Sequence, residues 1–221
     1  INESKHASEL GVTFSKPKID LEGVKKNTNS IVNKLTGGIQ ALAKARKVKV
    51  INDYAKFLSK NQVVLQSTDE VIEFDQCIIS VGSRVTKFPM FPFEDDRVMD
   101  STDALLLDDI PKRMLVVGGG IIGLEMATIY DALGSEITIV ELGPQIIPAA
   151  DKDIVNPLFK KAKKNYANVF LNTQVTSMSA IKKGIKVEFE GKDAPKTDTF
   201  DKVLIAVGRT PNGNLIDADK A

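Results

Sequence analysis

The residues best placed to do chemistry in this chain are three glycines and one carboxylate. Gly118, Gly120 and Gly123 are spaced as GxGxxG in Gly118-Gly119-Gly120-Ile121-Ile122-Gly123, and Glu141 follows 23 positions after the first of them. A glycine run offers no acid, base or nucleophile, so its chemistry is that of bare main chain. Gly118 permits a tight turn, Gly120 lets a pyrophosphate approach the backbone, and Gly123 allows a following helix to pack closely on a strand. Free N–H groups at a helix start, backed by about half a positive charge of helix dipole, suit that anion. Glu141 can accept both hydrogen bonds of a ribose diol. A 2′-phosphate would meet a like charge there, and Leu142-Gly143-Pro144 supplies no Arg or Lys to offset it. The expected ligand is therefore NAD rather than NADP.

Strands and a helix must hold these groups in place. Met114 to Val117 is a short apolar run of the kind a fully buried parallel strand needs. Ile122, Met126, Ile129 and Leu133 then recur at spacings of 4, 3 and 4, so they share one helix face. A second apolar run, Ile137 to Val140, ends at Glu141. Strand, glycine turn, helix, strand and acid in this order make a dinucleotide-binding βαβ unit.

Composition sets the wider limits. The chain has 221 residues, 43% of them hydrophobic, which is enough to bury a core in one large domain or two small ones. Lys and Arg number 30 against 29 Asp and Glu, so charge gives no case for a nucleic acid or an anionic membrane as partner. No apolar run approaches the roughly 20 residues of a membrane helix. The single cysteine, Cys77, excludes an internal disulfide and fits a reducing compartment. No signal peptide and no metal site are expected. Ile1 without a preceding Met and the ending Asp217-Ala218-Asp219-Lys220-Ala221 both read as internal cuts.

Along the chain, residues 1 to 10 read as the tail of a helix stopped at Gly11, and Lys16-Pro17 as a loop. Leu21 to Ala45 has the spacing of a long amphipathic helix, with Val24, Ile31, Leu35, Ile39 and Leu42 on its apolar side. Val48 to Ile51 reads as a strand. Asp53 to Leu58, Val63 to Gln66 and Val71 to Phe74 read as a meander, and Gln76 to Val81 as a buried strand holding Cys77. Phe88 to Asp96 is a proline-broken connector. Ser101-Thr102-Asp103 signals the cap of a short helix over Ala104 to Leu107. A helix from Asp151 or Asp153 to about Tyr166 carries Lys160, Lys161, Lys163 and Lys164 on its solvated face. Val169 to Leu171 is a strand, Val175 to Phe200 a second meander, and Val203 to Val207 a buried strand.

One internal echo organises the whole. Residues 74–82 (FDQCIISVG) match 200–208 (FDKVLIAVG) at five of nine positions, offset by 126. Each copy follows a meander and a polar turn. This predicts an α/β chain of two tandem Rossmann-like domains, each with a central parallel sheet and a small antiparallel meander. The second copy has its glycine turn 90 residues before its final glycine, a spacing that would put the first turn upstream of Ile1. The first domain is thus expected to be incomplete.

Three further stretches give a resemblance. They are Ile147-Pro148-Ala149-Ala150-Asp151, Ala206-Val207-Gly208-Arg209-Thr210-Pro211-Asn212 and Leu35-Thr36-Gly37-Gly38-Ile39. With Gly118 to Glu125, Glu141 and Asp100 to Ala104, they resemble the dihydrolipoamide dehydrogenase branch of the pyridine nucleotide–disulfide oxidoreductases, over essentially the whole chain. The resemblance implies that residues 1–108 are the later part of an FAD-binding domain and 109–221 an NAD-binding domain. Around NAD it places Gly118, Gly119, Gly120, Ile121, Ile122, Gly123, Glu125, Glu141, Val175, Gly208 and Arg209, with Ile121 and Glu125 toward the nicotinamide and Val175 beside adenine. Around FAD it places Ala55, Val81, Gly82 and Ser83. It implies electron transfer from dihydrolipoamide, carried on an acyltransferase subunit of a 2-oxo acid dehydrogenase complex, through a disulfide and FAD to NAD. It also implies a homodimer in the bacterial cytoplasm or the mitochondrial matrix.

Parts of that pattern are not among these residues: the CxxxxC redox pair, the first GxGxxG, the later Gly-Asp flavin motif and the His-Glu base. Ala55 stands where the family often has glycine, and His6, the only histidine, matches no family base and is expected at the surface. No residue here is expected to be catalytic in its own right, and the fragment is not expected to be active alone. Two alternatives remain open: a sister disulfide reductase or soluble pyridine nucleotide transhydrogenase, and a non-catalytic NAD-binding module.

Overall fold

The computed structural model describes residues 1–221 apart from Asn2, Glu3, Lys5, His6, Lys16 and the side chain of Ser8. The expectations for His6 and Lys16 lie outside the described residues. The first elements are helix α1 (Leu21–Ala45), strands β1 (Ala55–Ser59), β2 (Gln62–Leu65), β3 (Val71–Glu73), β4 (Ser83–Val85) and β5 (Val98–Met99), and helix α2 (Ser101–Leu106). The glycine motif joins β6 (Arg113–Val117) to helix α3 (Ile121–Leu133), followed by β7 (Glu136–Val140), helix α4 (Lys152–Asn165) and β8 (Asn168–Phe170). The chain closes with β9 (Gln174–Ile181), β10 (Gly184–Glu190), β11 (Thr197–Phe200), β12 (Lys202–Ile205) and β13 (Arg209–Pro211). Among the described residues no helix is long and apolar enough to cross a membrane.

Two compact units form, one of residues 1–25 and 87–208, the other of 26–86 and 209–221. Strand β5 belongs to the first unit because it pairs with β12 in the sheet that carries the glycine turn.

In the first unit five strands lie parallel in the order β5-β12-β6-β7-β8. Met114, Leu115, Val116, Ile139, Val203, Leu204 and Ile205 are all fully buried. That continuous apolar run is what a sheet covered on both faces demands. Residues alternate between the two covers. Met114, Val116, Ile139 and Leu204 join the core beneath the helices with Met126, Tyr130 and Val155. Leu115, Val117, Val203 and Ile205 join a second core with Val175, Ile185, Val187 and Phe200 of the antiparallel sheet β11-β10-β9.

Helix α3 forms where the spacing predicts it, but its most buried stripe is rotated. Gly123, Leu124, Met126, Ala127 and Tyr130 are buried, while Ile122, Ile129 and Leu133 are half-buried at the margin. Gly123 and Ala127 let the helix backbone approach the sheet, so small side chains rather than apolar bulk choose the contact face. The Tyr130 hydroxyl donates to the Ala104 carbonyl at 2.8 Å, tying α3 to α2. Helix α2 begins earlier than Ala104, because the cap is Asp100. Its carboxylate accepts from the Thr102 and Asp103 amides, and Asp103 accepts in return from the Asp100 amide, a capping box. Lys160, Lys161, Lys163 and Lys164 of α4 are all exposed.

The second unit holds the antiparallel meander β1-β2-β3, with Phe57 and Leu65 buried and Phe57 edge-on to Phe74 at 6.1 Å. A two-stranded antiparallel ladder joins β4 to β13. Helix α1 has the predicted span; its first turn belongs to the first unit, where Leu21 and Val24 pack on the core. Its residues Ile31, Leu35, Ile39 and Leu42 are exposed.

Two expected strands do not form. At Val48 to Ile51 the helix cap takes the chain instead. Lys47 adopts φ +55°, and the Val48 amide donates back to the Ala43 carbonyl at 2.9 Å, as in a Schellman closure. Gln76 to Val81 is neither a strand nor buried; Ile78 and Cys77 are exposed. A parallel strand needs neighbours on its edges. Residues 203–205, in the matching copy, have β5 and β6, whereas the strands of the second unit pair only within their meander and ladder. The parallel sheet expected for the first half is therefore not formed among the described residues, and Cys77 is no buried hydrophobe.

Candidate nucleotide site

In the first unit, β6 has β7 and β8 on one side and β12 on the other, so the strand order reverses there. Ligands of open α/β sheets bind at the carboxyl ends of strands at such a switch point. The glycine turn sits at that end of β6. Gly118 has φ +107°, and a Cβ on it would stand 2.4 Å from the Ala206 carbonyl oxygen. The Gly118 amide donates to the Val140 carbonyl (2.8 Å), and the Gly119 carbonyl accepts from the Ile147 amide (2.9 Å). A Cβ on Gly123 would lie 2.2 Å from the Gly118 carbonyl oxygen and 3.1 Å from Val116 Cγ1. At Gly120 nothing lies within 4 Å of such an atom. The outer two glycines are thus required by the protein's own packing, and the middle one faces open space.

Helix α3 starts at this opening with Gly120 as its N-cap, no side-chain cap and no acidic residue in its first turn. Its partial positive charge is left uncompensated by the helix itself. Glu141, at the end of β7, accepts from two main-chain amides: Oε2 from Gly119 at 2.7 Å and Oε1 from Gly143 at 2.7 Å.

A cavity of about 560 Å³ opens over these groups. The ends of three strands bound it: Val117 and Gly118, Val140 and Glu141, and Ala206 to Gly208. Gly120, Leu142, Pro148, and Thr173 to Val175 also line it, as do Phe88, Met90 and Phe91.

Of the residues expected around NAD, Gly118, Gly120, Glu141, Val175 and Gly208 line this cavity. Gly119 and Gly123 do not line it; Gly119 donates its amide to Glu141, and Gly123 packs against Gly118 and Val116. Ile121 and Glu125 are exposed on α3, and Ile122 is half-buried there; none of the three lines the cavity. Arg209 belongs to the second unit, where its guanidinium donates to the Ser83 hydroxyl at 2.7 Å and the Ser83 carbonyl at 2.5 Å. Sequence reasoning missed the connector residues Phe88, Met90 and Phe91. The available signal was their density: aromatic and apolar side chains in a segment whose prolines deny it a place in any sheet.

The second unit has its own cavity, of about 660 Å³, with Asp53, Ala55, Gln66, Val81, Asn212 and Ile216 among its walls. Of the residues expected around FAD, Ala55 and Val81 line it, whereas Gly82 and Ser83 do not. The Asn212 amide donates to the Gly82 carbonyl (3.0 Å) and its side chain to the Val81 carbonyl (2.9 Å). Asp53 accepts from the Ser67 hydroxyl and from the Tyr54 amide, and the Ser67 bond above all holds its carboxyl below the usual range. The segments that leave the two copies of the echo, β4 and β13, pair with each other, with Val85 opposite Arg209 and Ser83 opposite Pro211.

Residues 3–221 match the family described as pyridine nucleotide-disulphide oxidoreductase. The chain belongs to this family. Among curated relatives, the dihydrolipoyl dehydrogenase of Haemophilus influenzae is 48% identical over 224 residues, covering 100% of this chain and 47% of the relative. That of Vibrio cholerae is 47% identical with the same coverage of each. The chain spans about half the length of these relatives. Crystallised LpdA from Mycobacterium tuberculosis superimposes with a TM-score of 0.83 over 100% of this chain and 48% of its own, at 21% identity, which is a likeness of fold. The α/β class, with a central parallel sheet and antiparallel strands, agrees with that neighbour.

Proposed function

We propose that the chain is a nucleotide-binding part of a dihydrolipoyl dehydrogenase, in which electrons pass from dihydrolipoamide through a disulfide and FAD to NAD. One observation carries this reading: the open glycine turn and the Glu141 carboxylate bound a single cavity at the switch point of the sheet. The similarity to dihydrolipoyl dehydrogenases along the whole chain supports the choice of enzyme.

The residues fit a dinucleotide. The space at Gly120 admits a pyrophosphate against the amides at the start of α3, and Glu141 offers acceptor positions to a ribose diol. Val175, with the apolar wall of Phe88 and Met90, excludes water from a planar base. Ala55, Val81, Gly82 and Ser83 belong, in this reading, to the flavin side. The bound cofactors supply the hydride chemistry, and the protein supplies position and electrostatics. Residues 1–108 would be the later part of the FAD domain and 109–221 the NAD domain, in a homodimer acting on a lipoyl group of an acyltransferase subunit.

Calorimetric titration of this chain tests the reading. NADH is expected to bind at least about tenfold more tightly than NADPH, since a 2′-phosphate would face the Glu141 carboxylate. Equal or tighter binding of NADPH contradicts it. With Cys77 as its only sulfhydryl, the chain alone is expected to show no NAD-linked turnover of dihydrolipoamide.

A further inference from the structure

Glu141 is held from every side. Its amide donates to the Phe170 carbonyl (2.8 Å) and its carbonyl accepts from the Thr173 amide (3.0 Å), which fixes its backbone beyond the end of β7. Its carboxylate spans two glycines, with one oxygen on the Gly119 amide and the other on the Gly143 amide. Gly143 is anchored in turn, because its carbonyl accepts from the Asn172 amide at 2.9 Å. Neither glycine has room to spare. A Cβ on Gly143 would stand 3.1 Å from Glu141 Oε1, and one on Gly119 would stand 3.2 Å from Glu141 Cβ and 3.0 Å from Ile146 Cγ2.

We propose that Gly143 is a specificity-determining residue that positions Glu141 to select a free 2′-hydroxyl over a 2′-phosphate. The inference rests on the nucleotide site proposed above and deepens it. A carboxylate oxygen has about two acceptor directions. With one direction on each oxygen taken by a main-chain amide, the remaining ones are fixed in space, and a ribose diol can meet both without rotating the side chain. A swinging carboxylate could turn away from a 2′-phosphate and lose its power to reject it; the clamp prevents that. The residue at 143 acts through its amide and through its lack of a side chain. Gly143 does not have a positive φ, so Ala fits its backbone, and the added methyl displaces the carboxylate rather than the chain.

The test compares NADH and NADPH dissociation constants for the unaltered chain, Gly143→Ala and Glu141→Ala. In Gly143→Ala the preference for NADH is expected to fall by roughly tenfold, the scale of one hydrogen bond to a charged group. An unchanged ratio in Gly143→Ala beside a lowered ratio in Glu141→Ala overturns the role of Gly143 and leaves the site standing. An unchanged ratio in Glu141→Ala, or no nucleotide binding by the unaltered chain, overturns the site and the proposal with it. A second measurement needs no change at position 143. In Glu141→Gln the amide-proton resonances of both Gly119 and Gly143 are expected to move upfield on losing an anionic acceptor. A Gly143 resonance that does not move contradicts the clamp even if Gly143→Ala fails to fold.

Discussion

Gly123 and Gly118 are so close that a single carbon added to Gly123 would reach within 2.2 Å of the Gly118 carbonyl oxygen. This contact sets the spacing between α3 and β6 and so the shape of the turn. We predict that Gly123→Ala destabilises the fold by about 1–3 kcal/mol, the usual scale of overpacking. Urea unfolding measures it, and an unchanged midpoint would contradict the packing role.

Gly120 should behave in the opposite way. Nothing lies near its missing Cβ, so Gly120→Ala is expected to leave unfolding within about 0.5 kcal/mol of the parent. The same methyl would stand where a pyrophosphate must approach, and NADH affinity should fall at least about tenfold. Loss of stability together with unchanged affinity would reverse the roles assigned to the two glycines.

Tyr130 gives a pH signature. Burial first, and then the charges of Asp109 and Asp108, push its phenol up to about 12. An unfolded tyrosine ionises near about 10. The folded state therefore keeps the proton where the unfolded state releases it. The contribution is fully present below pH about 10 and is lost as pH rises toward the folded value. Tyr130→Phe also removes the hydrogen bond to the Ala104 carbonyl, for a loss of about 1 kcal/mol at neutral pH. Wild-type stability should then fall more steeply than that of Tyr130→Phe between about pH 10 and 12, as read by denaturant titration at each pH. Parallel curves would contradict the burial of a neutral phenol.

The Arg113–Asp198 pair gives the acidic counterpart. Arg113 meets Asp198 with two nitrogens at 2.8 and 3.1 Å, donates to the Thr199 carbonyl, and lies over the Phe200 ring at 5.0 Å. Burial alone would raise the Asp198 carboxyl, but the bonds from Arg113 and the Thr199 amide outweigh it and hold the group below its ordinary value. The folded state then binds fewer protons, so the stabilisation is present above about pH 4 and lost as pH falls through the lower folded value. Asp198→Asn should cost about 1 kcal/mol at neutral pH, because the pair is partly exposed and screened. The difference from wild type should close below about pH 4 and shrink in high salt.

How much of this could be read from the residues depended on how local the cause was. The glycine turn, α3 and the strands ending at Val117 and Val140 were readable because local spacing, buried apolar runs and turn chemistry agree there. Val203 to Ile205 and Gln76 to Val81 look alike as sequences, yet only the former has strands to pair with, and pairing is not written in a segment. The Val48 run lost its amide to a helix cap at Lys47, a competition that alternation does not reveal. The wall made by Phe88 and Met90 and the two amides on Glu141 depend on chain brought together from different elements. The bonds from the Arg209 guanidinium to Ser83 likewise join residues 126 positions apart, which no local pattern announces.

A ¹H–¹⁵N NMR titration of the labelled chain with NADH tests most directly whether the glycine turn and Glu141 hold one dinucleotide. The amides of Gly118 to Gly123, Glu141, Val175 and Gly208 should shift together in a saturable way, while those of Ala55 and Val81 to Ser83 stay in place. Glycine-turn amides that do not move on addition of NADH, or shifts confined to the second unit, would contradict the account.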